Sequence, residues 1–145
     1  MGIEEGNPNW SKYEKFVSDL GKWAWIIGII SGISSFIWGF YGATVVGTFL
    51  LGIGIEGFIF MIIGGVITIV ISYAIIKPKF SDKCADKDWD FLLDWVIELG
   101  NFRFPWMLFW FIILEIFTWW GGIPILIVAL FLLFTGPKKY EWRTK

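Results

Sequence analysis

The sequence predicts an all-α, polytopic membrane protein with four transmembrane helices, and the distribution of charge is the main reason. All 12 Lys and Arg residues lie in three short segments. These segments are 12–22, 77–103 and 138–145. The two stretches between them, 23–76 and 104–137, contain one carboxylate each, Glu56 and Glu115. With 57% apolar residues and a mean hydropathy of +0.68, such stretches have no charged face for water and are typical of membrane spans.

Composition argues against several classes of function. The chain has no His and a single Cys, Cys84. We therefore expect no intrachain disulfide, no thiol cluster for zinc or an iron–sulfur centre, and no cofactor. Charges are sorted by position instead of forming one basic surface, which argues against nucleic-acid binding. The first 22 residues are acidic and lack a small-residue cleavage site, so we expect residues 23–41 to be retained as a span.

The lengths of the apolar stretches set the number of crossings. A helix that rises 1.5 Å per residue needs about 20 residues to cover roughly 30 Å of hydrocarbon. Residues 23–41 and 57–76 each meet that length. The remaining apolar stretch, residues 104–134, is too long for one upright crossing. The Gly-Gly-Ile-Pro sequence at 121–124 interrupts it. We predict two short arms there, 104–120 and 123–136, and four crossings in total.

Four crossings place both termini and the central basic loop on one side of the membrane. The positive-inside tendency assigns that side to the cytoplasm, so we expect a multi-pass protein of the plasma membrane with both termini cytoplasmic. A three-span alternative would expose the basic C-terminal tail outside without leaving an excess of positive charge inside. Tryptophans at the ends of the spans fit interfacial belts, and a Trp-lined ligand site is the alternative interpretation. They include Trp23, Trp25 and Trp106 on the inner side, and Trp38, Trp119 and Trp120 on the outer side.

The connection between the first two spans, residues 42–56, is rich in glycine and uncharged before Glu56. It is compatible with an interfacial segment, a re-entrant segment, or an N-terminal extension of the second helix. Residues 52–57 match the dinucleotide-binding pattern G-x-G-x-x-G literally. No strand–helix–strand unit is expected around them, so we assign no nucleotide-binding role.

A short internal match indicates a duplication. Residues 16–23 align with residues 95–102 at a shift of 79, and a glycine then falls at the outer turn of each half. We predict two units, 1–80 and 81–145, each with an amphipathic helix, a span, an outer turn and a second span. The repeats would be parallel because each holds an even number of spans. A chance resemblance is the alternative.

Two amphipathic helices are predicted along the cytoplasmic face, one before each pair of spans. The first covers residues 11–20, where Ser11 and Glu14 form a capping box and Gly21 suits the end of the helix. The second covers residues 88–99, with Asp88 as its N-cap.

The second amphipathic helix carries an acidic face made of Asp90, Asp94 and Glu98. Helices that adhere to anionic leaflets normally present Lys and Arg, so this face is predicted to contact positively charged protein, and a docking site for another subunit is one interpretation. The intramolecular alternative is that the basic tail, residues 137–145, folds against it through exposed ion pairs of about 0–1 kcal/mol each.

Small residues predict where the spans pack. Lipid tails are as apolar as leucine, so membrane helices associate through close fit. The predicted packing faces are Ala24, Gly28 and Gly32 on the first span, and Gly64, Thr68 and Ser72 on the second. We expect aromatic side chains of the third span to fill grooves beside them. Gly28 and Gly32 form a G-x-x-x-G pattern, which also fits a homodimer face.

Glu115 and Glu56 are the candidates for chemistry inside the spans. A carboxylate at membrane depth costs on the order of 2.5 kcal/mol or more unless it is paired, neutralised or wetted. If the two acids converge, they would form a small cation or proton site near the outer face. A structural role for Glu115 is the alternative.

The best-fitting function is a non-catalytic scaffold or accessory subunit that packs with other membrane helices. The expected partners are the lipid bilayer and either further copies of the chain or a larger membrane complex. A small ion or proton channel or transporter, using the two carboxylates, is the alternative. An enzyme fits least, because His is absent and no acid pair, thiol or metal cluster is expected on one face.

Overall fold

Helices account for 77% of the residues that the structure, a computed structural model, describes, namely 7–46 and 55–143. This confirms a mostly helical class. The elements are α1 Trp10–Tyr41, α2 Ile55–Ile71, α3 Trp89–Asp94, β1 Val96–Leu99, β2 Phe102–Pro105, α4 Trp106–Thr118 and α5 Ile123–Thr135. A π-helical turn, Gly42–Val46, follows α1, and α2 continues through π-helical Ser72–Ser81 into a last α-helical turn, Asp82–Ala85. More than half of the glycine-rich connection at 42–56, and half of the pattern at 52–57, lie outside the described residues.

Residues 11–20 are helical, as predicted, but they form one helix with the first span. α1 runs without a break from Trp10 to Tyr41, and its N-cap residue is Asn9, so Ser11 is not the cap. Gly21 does not end a helix either. A Cβ atom added at Gly21 would collide with the sulfur of Cys84. Gly21 therefore permits a close approach between α1 and the second long helix, which is the other common use of glycine.

The second long helix extends beyond the predicted span 57–76, from Ile55 to Ala85. It passes Pro78 through the π-helical stretch Ser72–Ser81. Proline has no amide hydrogen and its ring clashes with the carbonyl four residues back, so the regular α-helical ladder cannot continue there. The wider π-helical turn accommodates the proline without ending the helix.

Two helices are long and apolar enough to cross a membrane by length and composition. They cover Trp10–Val45 and Ile55–Ala85, 36 and 31 residues. Only 33% and 28% of the residues in their most apolar parts are buried, whereas the central helix of a soluble core is mostly buried. α4 and α5 are apolar but have 13 residues each, which is about 20 Å of helix.

The segment after α3 is a β-hairpin, so the all-α class is wrong for this part of the chain. The helix predicted over 88–99 ends at Asp94, although Asp88 does cap it by accepting a hydrogen bond from the Phe91 amide at 3.3 Å. β1 and β2 pair antiparallel, with Glu98 opposite Arg103. Their β-branched and aromatic residues favour strands, and Gly100 adopts the positive φ of +63° that a two-residue loop requires.

The two segments of the internal match have different structures. Residues 16–23 lie inside α1, whereas residues 95–102 cover β1 and the hairpin turn. An eight-residue match therefore does not correspond to a shared local structure here, because the neighbouring turn and strand partner decide the second segment. The division into units 1–80 and 81–145 stays a prediction.

α1 and the second long helix are antiparallel neighbours, and the α4–α5 pair packs against one part of them. Gly64 of α2 lies against Phe117 of α4, and Gly21 of α1 lies near Val128 of α5, with distances of 3.1 and 3.6 Å from a Cβ placed on each glycine. The Asn7 amide donates a hydrogen bond to the Gly136 carbonyl at 3.1 Å. The end of α5 and the start of α1 are therefore tied together.

Large apolar side chains are buried where α1 begins and the second long helix ends, a region that we call the charged end because most Lys, Arg, Asp and Glu residues lie there. This core joins residues from five helical segments and the C-terminal tail. Its members include Val17, Phe80, Cys84, Trp89, Leu92, Leu132 and Tyr140.

Candidate functional site

α1 and α2 contact each other through small residues, a strip that we call the seam. A Cβ atom added at Gly32 would lie 2.7 Å from the Gly65 carbonyl oxygen, and one at Gly39 would lie 2.8 Å from the Phe58 carbonyl oxygen. One added at Gly28 would collide with the Ser72 hydroxyl. The two backbones are thus as close as glycine allows.

All six predicted packing residues are buried in the structure. Gly28, Gly32 and Ser72 lie in the seam itself, and Ala24 and Thr68 are fully buried. Gly64 instead contacts Phe117 of α4. The residue that contacts Gly32 is Gly65, which the sequence analysis did not predict. Gly64 and Gly65 are adjacent, so the sequence alone does not show which of the two faces α1.

The outward faces of the same helices carry large apolar side chains. Small or hydroxylated residues are buried, whereas Ile, Val, Phe and Trp are exposed, which reverses the usual order in water. The exposed set includes Ile30, Ile33, Ile37, Trp38 and Phe40 on α1, and Ile59, Phe60, Ile63, Val66 and Val70 on α2. None of these side chains is charged, and such a surface suits a hydrocarbon solvent.

Glu115 stabilises the turn between α4 and α5, which we call the tip. Its carboxylate oxygen accepts a hydrogen bond from the Gly122 amide at 3.1 Å, and its backbone carbonyl accepts one from the Trp119 amide at 3.2 Å. Gly122 is the N-cap residue of α5, so the carboxylate satisfies a backbone donor at a helix start. In this arrangement Glu115 has the structural role that the sequence analysis gave as the alternative to a cation or proton site.

The structure does not bring Glu56 and Glu115 to one face. Phe117 points at α2, where its ring stacks on Phe60 at 5.7 Å between centroids. Glu115 precedes Phe117 by two residues and therefore points about 200° away around the helix. Glu56 is exposed in the first turn of α2. A shared cation or proton site made by both acids has no support in this geometry.

The tip lies beside the middle of α1 and not beside its end. The Ser31 hydroxyl faces the Thr118 carbonyl at 3.5 Å, and a Cβ atom on Gly121 would lie 2.9 Å from the Ser31 hydroxyl. Ten residues separate Ser31 from Tyr41, which is about 15 Å of helix. α1 and α2 therefore project well beyond the α4–α5 pair.

A groove of about 320 Å³ lies between α1 and the tip. α1 lines it with Ser31, Ser34, Ser35 and Trp38, α2 contributes Met61, and the tip contributes Thr118, Trp119 and Trp120. The Ser35 hydroxyl donates a hydrogen bond to the Met61 carbonyl at 3.1 Å. Trp119 beside it is 85% exposed, so the groove is open at the tip.

The acidic face at the charged end is met by the chain's own tail. Lys138 Nζ lies 3.3 Å from an Asp90 carboxylate oxygen and 3.5 Å from one of Asp94, and Arg103 lies 4.0 Å from Asp94. Glu98 is not on that helix but on β1, opposite Arg103. Asp90 and Asp94 therefore contact the chain's own tail, as the intramolecular alternative predicts. Docking of a partner stays a prediction.

Backbone and aromatic contacts fix the tail more firmly than its ion pairs. The Arg103 amide donates to the Trp142 carbonyl at 2.8 Å, and the Tyr140 hydroxyl donates to the Arg103 carbonyl at 2.9 Å. The Trp142 ring stacks on Phe102 at 6.0 Å. Burial raises the pKa of Tyr140, and the nearby charge of Arg103 opposes that rise in part. Sequence reasoning missed this contact, because the pairing of tail and strand is non-local.

Metal-binding chemistry has no candidate among the described residues, where no three Cys, Asp or Glu side chains come together. Cys84 is free and buried, and its carbonyl accepts a hydrogen bond from the Ser18 hydroxyl at 2.8 Å. No protein-family model, curated protein or solved structure matches the chain.

Proposed function

We propose that the chain is a non-catalytic integral protein of the plasma membrane, a scaffold or accessory subunit that packs with other membrane helices. The observation that carries this proposal is the reversed packing of α1 and α2. Gly28, Gly32 and Gly65 line their contact, whereas Ile, Phe and Trp side chains cover their outer faces. In water such an arrangement would expose a large apolar surface and bury little, but in lipid it gives close helix contact.

Lysines near aromatic rings support an inner membrane boundary close to residues 22–25. Lys77 Nζ lies 5.1 Å from the ring centroids of both Trp25 and Tyr73, and Lys22 Nζ lies 5.7 Å from that of Trp23. Tryptophan and lysine are common where hydrocarbon gives way to headgroups. The charged end then lies on the cytoplasmic side, together with both termini.

The position of the tip supports two full crossings and one pair of helices that enters and returns. The sequence predicts four crossings, but α4 and α5 are about 20 Å long and the tip lies beside Ser31. A pair that turns back at mid-membrane keeps the termini on the same side as four crossings would. Both arrangements satisfy the distribution of Lys and Arg.

The groove between α1 and the tip is the surface that we propose for contact with a helix of another membrane protein. The outer halves of α1 and α2 have no α4–α5 pair beside them, and hydroxyl groups at this depth favour contact with a helix over contact with lipid. Ser34 and Trp38 are central to that surface. No catalytic role is needed to explain it.

Labelling of single cysteines with a non-permeant maleimide tests the membrane placement. On a Cys84→Ala background, Gly57→Cys should react in intact cells, because a Cβ there has open space at the outer end. Lys87→Cys and Lys139→Cys should react only after permeabilisation. Trp119→Cys should stay unreactive in intact cells if the tip lies at mid-membrane, and should react if α4 and α5 cross fully. Release of the protein by alkaline carbonate would overturn the integral placement altogether.

Purification in a mild detergent after chemical cross-linking tests the subunit role. We expect a stoichiometric membrane partner that is lost on Ser34→Phe, which fills the groove, and retained on Ile63→Phe, which changes an exposed apolar position outside it. A chain that purifies alone from its native membrane, or a partner that both variants retain, would contradict the proposed groove contact.

A further inference from the structure

The hairpin formed by β1 and β2 has two edges, and the structure shows the chain's own tail on one of them. Phe102 of β2 pairs antiparallel with Arg143 of the tail. The Arg103 amide donates a hydrogen bond to the Trp142 carbonyl at 2.8 Å. This hairpin therefore accepts an extended segment as an added strand at the edge of β2. The other edge is that of β1, and we call it the outer edge.

The register of the hairpin shows which backbone groups point to the outer edge. The Trp106 amide donates to the Trp95 carbonyl at 3.1 Å, so these two residues are hydrogen-bonded across the hairpin. Along an antiparallel pair, such residues alternate with residues whose amide and carbonyl groups point away from the partner strand. Val96 and Glu98 are the residues of β1 that point away. Arg103, opposite Glu98, points away on the other side, which is why its amide reaches the tail.

The outer edge has backbone and side-chain groups that the described chain does not use. Among residues 7–46 and 55–143, no strand other than β2 pairs with β1, and no backbone hydrogen bond reaches Val96 or Glu98 from outside the hairpin. The Glu98 side chain is exposed and forms no ion pair within these residues. The neighbouring Leu99 is 62% exposed. Because successive side chains of a strand point to opposite faces, the outer edge offers a carboxylate on one face and an apolar group on the other.

We propose that the outer edge docks an extended segment of a partner protein in which basic and apolar residues alternate. The segment lies antiparallel to β1 and exchanges backbone hydrogen bonds with Val96 and Glu98, as in strand addition to an exposed sheet edge. Its basic side chains lie on the face of Glu98, and its apolar side chains lie on the face of Leu99. The carboxylate also selects the occupant. A second copy of β1 would place two Glu98 carboxylates near each other, and an anionic leaflet would repel this edge.

This contact goes beyond the proposed contact inside the membrane. The groove between α1 and the tip is lined by residues of α1, α2 and the tip, and none of them belongs to the hairpin. The two surfaces can therefore be disabled separately. The proposal needs the charged end to lie in water, but it does not depend on whether α4 and α5 cross the membrane fully.

A fluorescent peptide of alternating Lys and Val residues tests the outer edge by anisotropy, with the full chain in a neutral detergent. The peptide should bind, and a peptide of alternating Glu and Val should not. In the proposed pairing the amides of the Lys residues point to β1, because directly opposite residues have their side chains on the same face. N-methylation of the Lys amides should therefore abolish binding, whereas N-methylation of the Val amides should leave it unchanged. Equal binding by the two methylated peptides would overturn the proposal.

Substitutions in β1 test the same contact from the side of the protein. Val96→Pro removes an amide that points away from β2, so the hairpin keeps its own hydrogen bonds, and the peptide affinity should fall about tenfold or more. Val96→Thr is the matched control and should bind as the wild type does. Glu98→Lys should lower the affinity about tenfold, because an exposed ion pair is replaced by repulsion between like charges. Asp86→Lys, at an exposed acid in a turn, should change nothing.

Two other results would contradict the docking of a partner strand at the outer edge. Unchanged binding by Val96→Pro or by Glu98→Lys would place the peptide elsewhere, for example on β2 in place of the tail. Binding in detergent that disappears in nanodiscs of neutral phosphatidylcholine would mean that the membrane covers the outer edge. Neither measurement depends on the maleimide labelling, so failure of this site and failure of the membrane placement give different results.

Discussion

The charged end and the seam between α1 and α2 are packed in opposite ways. At the charged end, Val17, Phe80 and Leu92 are fully buried, as in a water-soluble protein. Along the seam, the residues in contact are Gly32 and Gly65, and the large side chains of the same helices point outward. One chain thus follows two packing rules within a single pair of long helices.

On the proposed membrane placement, this difference follows from the solvent that each region faces. In water, burying apolar area contributes about 25 cal/mol per Å², so large side chains are drawn inside. In hydrocarbon that contribution disappears and close van der Waals contact decides, so small residues are placed inside. The same kind of substitution should therefore have different effects in the two regions, and the following predictions use that contrast.

The largest effect is expected from truncating a large side chain at the charged end. Phe80 is 0% exposed, and Phe80→Ala should lower the free energy of unfolding by about 3–5 kcal/mol, through lost burial and the cavity left behind. Phe40→Ala is the matched control, because Phe40 is 58% exposed on α1. Thermal or denaturant unfolding in detergent measures both. Equal losses for the two variants would show that the charged end is not a water-type core.

Enlarging a seam glycine should give the next largest effect. Gly32→Leu places a side chain where a Cβ alone would be 2.7 Å from the Gly65 carbonyl oxygen. Separation of the helices should cost about 1–3 kcal/mol. Gly57→Leu is the control, since a Cβ at Gly57 has no atom within 4 Å. If Gly32→Leu unfolds at the same temperature as Gly57→Leu, the seam is not closely packed in solution.

Sequence patterns predict the seam better than the charged end. Helical spacing of Gly28 and Gly32 is a local signal, and it survives in the structure. Gly65 was missed because the Gly64-Gly65 pair leaves two phases of the helix equally possible. At 21 and 78, glycine and proline would normally break helices, but a close approach to Cys84 and a π-helical stretch keep both helices continuous.

The hairpin and the tail could not be predicted from acidic periodicity alone. Asp90, Asp94 and Glu98 recur every four residues, which favours a helix, but Gly100-Asn101 and the aromatic residues after it favour a strand pair. The ion pairs of Lys138 depend on a contact across more than 40 residues of sequence, which no local pattern encodes. For the same reason, the role of Glu115 in closing the tip becomes visible only in three dimensions.

The tail contact offers a smaller test with a defined pH dependence. Tyr140→Phe removes the hydrogen bond to the Arg103 carbonyl and should cost about 0.5–1.5 kcal/mol. Because burial raises the folded-state pKa of Tyr140 above its ordinary value of 10.0, the neutral phenol's contribution is complete below pH 10. It is lost as the pH rises through the folded-state pKa. Unfolding measured from pH 8 to 11 should show this loss in the wild type and not in Tyr140→Phe.

The smallest effect is expected from the ion pairs of the tail. Lys138→Gln removes the contacts to Asp90 and Asp94, whose side chains are 82% and 65% exposed. Exposed pairs contribute about 0–1 kcal/mol, and salt screens them. The loss should therefore shrink between low and high ionic strength, whereas Lys87→Gln should show no such dependence. A large loss that persists in high salt would mean that Lys138 orders the tail by packing of its methylene chain, so that the tail, like the seam, depends on close contact more than on charge.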